Sequence, residues 1–216
     1  MSRKDPQSKP PIVGVVGGLA GGKSTAAQVL GDLGAAVVDA DRIGHELLQH
    51  AAVKQDLVRE FGKDVSDEAG RVDRARLAEK AFGDPARVER LNSILHPPII
   101  REIRRRIEHL EEEADVPLIV LDAALLVETG LHESLCDALL YVQAHREVRR
   151  ERAARDRQMS PEQFEKRSRA QTDPQEKEKL ADFTVTNAGS RRELAAQVRR
   201  LWPQLLLKAK RARART

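Results

Sequence analysis

The sequence is poor in cysteine, in aromatic residues and in long apolar runs. Its 216 residues include a single cysteine, Cys136, and only 3% of them are aromatic. A lone cysteine excludes an internal disulfide framework and a zinc site built from several cysteines. The scarcity of aromatic rings leaves no obvious platform on which nucleic-acid bases could stack. We therefore expect a protein of a reducing compartment that has no cysteine-based metal centre.

A membrane span is also missing from the sequence. The longest apolar run covers residues 118–127 and is interrupted by Asp122, whereas a spanning helix needs roughly 20 apolar residues. Residues 1–11 contain three prolines and little apolar content, so we expect a flexible tail and not a secretory signal. With 40% apolar residues overall, the chain can form a core. A cytoplasmic, folded protein without a membrane partner is the expectation.

Short apolar runs alternate with longer segments of helical periodicity. Strands are predicted at residues 12–16, 35–39, 118–122 and 138–142, with a weaker fifth at 183–186. Helical patterns fill the intervening segments, although His96, Pro97 and Pro98 predict a break before a charged helix over 99–114. Strands that alternate with helices favour an α/β fold with a five-stranded parallel sheet flanked by helices.

Composition divides the chain further. A core is predicted from residues 12–50, 115–145 and 182–207, and a helical region from about 51–114. The segment 146–181, called the lid segment below, is almost entirely polar and charged. Capping boxes at Ser160 with Gln163 and at Ser190 with Glu193 predict helix starts, the second for a helix over 190–201. Residues 208–216 form a basic tail.

Residues 17–24, Gly-Gly-Leu-Ala-Gly-Gly-Lys-Ser, match the pattern G-x-x-x-x-G-K-[ST] in full, between a predicted strand and a predicted helix. We call them the phosphate loop. Glycines allow backbone N–H groups to approach phosphate oxygens, Lys23 adds a charge near the β- and γ-phosphates, and the Ser24 hydroxyl can bind Mg²⁺. The alternative is a glycine-rich turn with an incidental lysine. Because the dinucleotide fingerprint and the guanine-reading Asn-Lys-x-Asp are absent, ATP is the predicted nucleotide.

Three aspartates stand where predicted strands end. Asp39 closes the second strand and is followed by Asp41 two residues later, and Asp122 closes the third. Ligands of such sheets bind beyond the carboxyl ends of the strands, where a carboxylate can accept a proton from a hydroxyl or associate with Mg²⁺. One aspartate could instead cap the next helix. The sequence alone leaves open which of the three is the base and which is associated with the metal.

Arginines crowd the predicted helix that follows the fourth strand: Arg146, Arg149, Arg150, Arg152, Arg155 and Arg157. A planar guanidinium can stabilise the charge of a transferring phosphoryl group, so one or two are expected to be functional and the others solvated. Glu128 is either a site residue or an ordinary exposed carboxylate. The six histidines have no metal-ligand spacing, and His96, which precedes a proline, fits a structural role.

Four segments together carry a resemblance to a known family. The phosphate loop, Asp39-Ala-Asp41, the Leu-Asn…His-Pro segment 91–97 and the Leu-Leu-Val-Glu segment 125–128 resemble dephospho-CoA kinases in order and spacing. The resemblance covers about residues 12–201, and Arg152, Gln171 and Asn187 lie in segments similar to the family's lid and adenine side. It implies a P-loop NTPase fold with a helical acceptor-binding region and a lid. The implied reaction is ATP-dependent phosphorylation of the ribose 3′-hydroxyl of dephospho-CoA, the final step of coenzyme A biosynthesis.

The resemblance also implies roles for individual residues. Asp41 would be the catalytic base, with Lys23 and Arg152 as further catalytic residues and Ser24 on the metal. Asp39, His96 and Glu128 would bind the acceptor. The residues implied to bind ATP are Gly18, Ala20, Gly21, Gly22, Lys23, Ser24, Thr25 and Asn187.

Two other functions remain open from the residues alone. The protein could phosphorylate another small hydroxyl compound, such as a nucleoside or shikimate, or it could be an ATP-bound switch that contacts nucleic acid through the basic tail. A tail with so few charges gives only weak, salt-sensitive binding. We therefore expect small-molecule substrates, no specific nucleic-acid partner, and a monomer or weak homo-oligomer.

Overall fold

The computed structural model describes residues 9–82, 84–113 and 115–215. Its strands form one parallel sheet in the order β2-β3-β1-β4-β5. The predicted α/β class and the five parallel strands are thus confirmed. The strands are β1 Ile12–Val16, β2 Ala36–Asp39, β3 Ile119–Asp122, β4 Ala138–Gln143 and β5 Phe183–Thr186.

Helices occupy most of the remaining chain, and none within the described ranges is both long and apolar enough to cross a bilayer. They are α1 Lys23–Asp32, α2 Ala40–Leu47, α3 Ala51–Phe61, α4 Arg74–Phe82, α5 Pro85–Glu113, α6 Leu131–Leu135, α7 Arg146–Arg157, α8 Pro161–Arg169, α9 Pro174–Leu180 and α10 Arg191–Arg213.

The chain divides into two compact units. The first comprises Met1–Asp39 and Ile107–Thr216 and contains the whole sheet. The second, Ala40–Arg106, is helical and has its own apolar cluster, in which Leu57, Val65 and Ala81 are completely buried. Of the tail predicted at 1–11, residues 1–8 lie outside the described residues, and Pro10 and Pro11 are buried.

One face of the sheet packs against α1 and α10. Val13 and Val15 of β1 belong to a cluster that also holds Leu30 of α1 and Val198 of α10, all nearly inaccessible to solvent. Alternate residues of a strand point to the same face of a sheet, which explains why residues 13 and 15 share this cluster. The opposite face is buried as well, because Ile12 and Val16 are each 2% exposed. β1, which ends at the phosphate loop, is therefore fixed on both faces.

The break predicted at residues 96–98 is wrong, because α5 continues through Pro97 and Pro98. Each proline lacks the N–H that would bond the carbonyl four residues earlier, so only two helical hydrogen bonds are lost in a 29-residue helix. Leu91 before the prolines and Ile103 after them are both buried. Continued burial of apolar side chains on both sides maintains the helix where local propensity favours a stop.

The last helix is also longer than the sequence predicts. α10 passes Pro203 and includes residues 208–213, which belong to the predicted basic tail. Ala209 is fully buried in the core, the Lys208 Nζ lies 2.8 Å from Asp182 Oδ1, and Arg213 forms an ion pair with Glu111. These residues are part of the packed fold, whereas Thr216 lies outside the described residues.

Truncation after Leu207 should destabilise the protein by about 2 kcal/mol, because it removes a core contact and leaves the buried carboxylate of Glu111 with one partner fewer. Urea unfolding followed by circular dichroism measures this. Truncation after Arg213 is the matched control and should leave the unfolding midpoint unchanged. Equal midpoints for both truncations would contradict the structural role of residues 208–213.

The Cys136 thiol should be unreactive in the native protein. Burial raises its pKa to about 12, and the neighbouring Asp137 carboxylate adds to this effect. Because the raised pKa keeps the thiol protonated at pH 8, the nucleophilic thiolate is scarce. We expect a chromogenic disulfide reagent to modify Cys136 at least about 100-fold more slowly in native than in urea-unfolded protein. Equal rates would show that the thiol is accessible and ionisable.

Candidate active site

The phosphate loop joins β1 to α1 and turns at glycines that no other residue could replace without strain. Gly22 has a φ of 98°, and a Cβ there would lie 2.1 Å from Asn187 Nδ2. A Cβ at Gly17 would lie 2.7 Å from the Val142 carbonyl oxygen. Ala20 adopts a left-handed φ of 57° although it is not glycine. The Lys23 Nζ donates to the carbonyl oxygens of Gly17 and Gly18, at 3.2 and 3.3 Å.

Two of the predicted aspartates lie side by side at the edge of the sheet where the phosphate loop begins. Asp39 of β2 is aligned with Asp122 of β3, which is aligned in turn with Val15 of β1. Asp122 is only 7% exposed. The described residues contain no cluster of three or more acidic, histidine or cysteine ligands. A serine hydroxyl and one or two carboxylates nevertheless fit Mg²⁺, which takes few protein oxygens beside substrate phosphates.

A cavity of about 430 Å³ opens beside the phosphate loop. Asn187 is 6% exposed and lies on its wall, where its Nδ2 donates to the Gly21 carbonyl at 2.8 Å. The Arg152 guanidinium donates to Asn187 Oδ1 at 3.2 Å and also to the Gly189 carbonyl. The structure thus brings together two predicted site residues that are far apart in the sequence. The cavity is lined by Ala20, Gly21, Gly22, Lys23, Ser24, Thr25, Arg152, Arg155, Asp156, Arg157, Asn187, Gly189, Ser190, Arg191 and Leu194.

Glu128 is not the ordinary exposed carboxylate that its sequence context favours. Its side chain is 14% exposed, and its Oε1 lies 2.6 Å from Nζ of the completely buried Lys177. The same oxygen accepts a hydrogen bond from the Thr172 amide at 2.9 Å. Its Oε2 is buried and has no partner among the described residues. Sequence reasoning missed Lys177, because no local pattern distinguishes it from other lysines of the lid segment.

The lid segment also contacts the phosphate loop directly. The Leu19 amide donates to Gln171 Oε1 at 2.9 Å, across 152 positions of sequence. The Leu19 side chain packs in a small apolar cluster with Ala153, Met159 and Phe164. Gln171 belongs to a segment that resembles the family's lid, yet its hydrogen bond to the phosphate loop has no sequence signal.

The arginine side chains of α7 differ in how far they are buried. Arg146, Arg150, Arg155 and Arg157 are exposed and Arg152 is partly buried, so most are solvated, as predicted. Arg149 is the exception at 6% exposed, and burial lowers its pKa. Its Nη1 is buried without a hydrogen-bond partner among the described residues.

Two predicted site residues belong to the second unit. Asp41 lies in the first turn of α2 and is exposed. His96 lies within α5 and is partly buried, and desolvation lowers its pKa. A neutral imidazole at pH 7 follows from that direction, because the lowered pKa favours the uncharged form.

The family model and the curated relatives point to one family. The family model described as dephospho-CoA kinase matches residues 11–193. A dephospho-CoA kinase of Aquifex aeolicus is 38% identical over 194 residues, which is 89% of this chain and 96% of that protein. A crystal structure from Thermus thermophilus, at 31% identity, has a TM-score of 0.74 and covers 91% of this chain and 98% of its own.

A dephospho-CoA kinase structure from Campylobacter jejuni has a TM-score of 0.64 at 23% identity and covers 91% of this chain and 97% of its own. At that identity the likeness supports the fold alone. The family model extends over most of the chain and includes the phosphate loop, and the Aquifex relative aligns with 89% of the chain. The chain belongs to the dephospho-CoA kinase family and has its P-loop kinase fold.

Proposed function

We propose that this protein transfers the γ-phosphoryl group of ATP to the ribose 3′-hydroxyl of dephospho-CoA, giving CoA and ADP. The observation that carries the proposal is a complete phosphate loop, with an adjoining cavity, in a chain of this family. In the reaction, the bond from the γ-phosphorus to the 3′-oxygen forms as the bond to the leaving β-phosphate oxygen breaks. Both substrates are small molecules, and we propose a monomer or weak homo-oligomer with no specific nucleic-acid partner.

The ATP side is assigned to the phosphate loop and the cavity wall. Backbone amides of the loop and the start of α1 would hold the phosphates, and Lys23 would leave its loop carbonyls to pair with them. Arg152 is held by Asn187 and Gly189, so its guanidinium is already positioned on the cavity wall. In the proposed reaction, this preorganised guanidinium would place positive charge where the transferring group develops negative charge. Asn187 would lie on the adenine side.

Mg²⁺ is part of the proposal. Ser24 would bind it directly, and Asp39 or Asp122 would bind it directly or through water. When bound, the ion neutralises charge on the β- and γ-phosphates.

The acceptor side is assigned to Asp41, Asp39, His96 and Glu128. Asp41 would accept the proton of the attacking 3′-hydroxyl, with Asp39 as the alternative base. Glu128 has one oxygen committed to Lys177 and Thr172. Its Oε2, which has no partner in the described part of the chain, is the atom that remains to accept a hydrogen bond.

Purified protein should release ADP from Mg²⁺-ATP only when dephospho-CoA is present, as measured with a coupled assay. Lys23→Ala should reduce kcat at least about 100-fold, because it removes the charge nearest the transferred phosphoryl group. Lys210→Ala, at an exposed lysine of α10, is the matched control and should retain full activity. Faster turnover of shikimate or a nucleoside than of dephospho-CoA would overturn the substrate assignment.

Asp41→Asn should lower kcat by roughly 10²–10⁴-fold if this carboxylate is the general base. KM for ATP should change little, because the nucleotide is assigned to other residues. Asp39→Asn is the comparison, measured with the same assay. If Asp41→Asn keeps nearly normal kcat while Asp39→Asn loses it, the role of base belongs to Asp39.

A further inference from the structure

Arg149 is buried beside the phosphate loop. Its Nε donates to the Ala144 carbonyl oxygen at 3.2 Å, and its guanidinium carbon lies 5.8 Å from the centroid of the Phe164 ring. Its Nη1 is enclosed and bonds to no other described group. Buried guanidinium groups ordinarily pair with a carboxylate. Arg149 therefore has packing contacts and one neutral acceptor, but a donor is left unused.

No carboxylate neutralises this charge in the part of the chain that the structure describes. Glu147 and Glu165 act on Arg149 only through space, and Arg146 opposes them. Glu165 is already paired with Arg146. Burial lowers the pKa of Arg149, but an arginine stays protonated at neutral pH. Within the described residues, Arg149 is thus a desolvated cation without a hydrogen-bonded counterion, which is unfavourable in the absence of a ligand.

The close approach of Arg149 to Gly18 locates the guanidinium charge beside the phosphate loop. A Cβ at position 18 would be 2.4 Å from Arg149 Nη1. The φ of Gly18 is not left-handed, so its backbone conformation does not require glycine, and the G-x-x-x-x-G-K-[ST] pattern leaves this position open. Space for the guanidinium is thus a local reason for glycine at this position. The charge lies directly against the phosphate loop.

We propose that Arg149 is a fixed countercharge for the nucleotide phosphates held by the phosphate loop, and that it strengthens binding in proportion to the phosphate charge. The inference rests on the proposed function only in that this loop binds a nucleotide. Arg149 acts across the loop backbone, so it is a positioning residue and not a catalytic one. Because the site is buried, bulk salt screens the attraction only weakly.

This arrangement predicts opposite effects on stability and on binding. Without ligand, the Ala144 carbonyl and the Phe164 ring offset the desolvation of the charge only in part, so removal of the charge should leave the protein equally stable or make it more stable. With a polyphosphate in the loop, the same charge becomes favourable. A purely structural arginine, which supports Phe164 and the Ala144 carbonyl, would instead reduce stability in both states when replaced.

The experiment compares three variants by titration calorimetry and thermal unfolding. Arg149→Met keeps an unbranched apolar stem that can still pack but removes the guanidinium group and its charge. Arg149→Lys keeps the charge. Arg150→Met is the matched control, because it removes the same charge from the exposed neighbouring position of α7. The ligands are Mg²⁺ with the non-hydrolysable ATP analogue AMP-PNP, Mg²⁺-ADP, and adenosine, which has no phosphate.

Arg149→Met should raise the Kd for Mg²⁺-AMP-PNP on the order of tenfold, should raise the Kd for Mg²⁺-ADP less, and should leave that for adenosine unchanged. Its Tm without ligand should equal or exceed that of the wild type. Arg149→Lys should recover most of the affinity, and Arg150→Met should change each Kd less than about twofold.

A lowered Tm without ligand, with nucleotide affinity unchanged in both Arg149→Met and Arg149→Lys, would assign Arg149 to packing and overturn the proposal. An unchanged Kd for Mg²⁺-AMP-PNP together with a raised KM for dephospho-CoA would assign the charge to the acceptor's diphosphate, which also overturns it. Binding is measured without an acceptor. A wild type that binds the nucleotide but does not phosphorylate dephospho-CoA therefore disproves the function and leaves this inference intact.

Discussion

The hydrogen bond from Asn187 to the Gly21 carbonyl connects the phosphate loop to the end of the sheet, and the rest of the site depends on it. The backbone of Asn187 is itself fixed, because its amide donates to the Gln143 carbonyl at 2.7 Å. Only a glycine at position 22 leaves room for the Asn187 side chain. The same side chain then accepts from Arg152. One buried amide thereby fixes the loop, the cavity wall and the arginine relative to β4 and β5.

Features encoded by near neighbours were predictable from the sequence. Four strands are apolar runs with a glycine, proline or aspartate at or next to an end, β5 has the mixed sequence Phe-Thr-Val-Thr, and all five lie within one residue of the predicted positions. The capping boxes at Ser160 and Ser190 form as predicted, because each involves a side chain and a backbone amide only three residues apart. The phosphate loop is likewise a continuous segment, residues 17–24, so its pattern and its position between a strand and a helix sufficed to identify it.

Features that depend on distant partners were not predictable. The continuation of α5 through two prolines and the extension of α10 to Arg213 are stabilised by tertiary burial, which local propensity does not register. Glu128 and Lys177 are paired in space but 49 positions apart, and Leu19 meets Gln171 across 152 positions. Composition alone likewise could not separate the buried Arg149 from its exposed neighbours. The sequence thus indicated which residue types matter, and the fold determines which individual residues meet.

The backbone conformation of Ala20 has a consequence for the shape of the phosphate loop. An alanine with a φ of 57° is strained by about 1 kcal/mol, and the loop could relax by releasing it. The surrounding protein prevents that, because the residues on either side of Ala20, namely Leu19 and Gly21, are hydrogen-bonded to Gln171 and Asn187. Hydrogen bonds to two residues that are remote in sequence therefore hold the loop in this strained conformation. Substitutions of Gln171 or Asn187 would alter nucleotide binding even where every residue of the loop is retained.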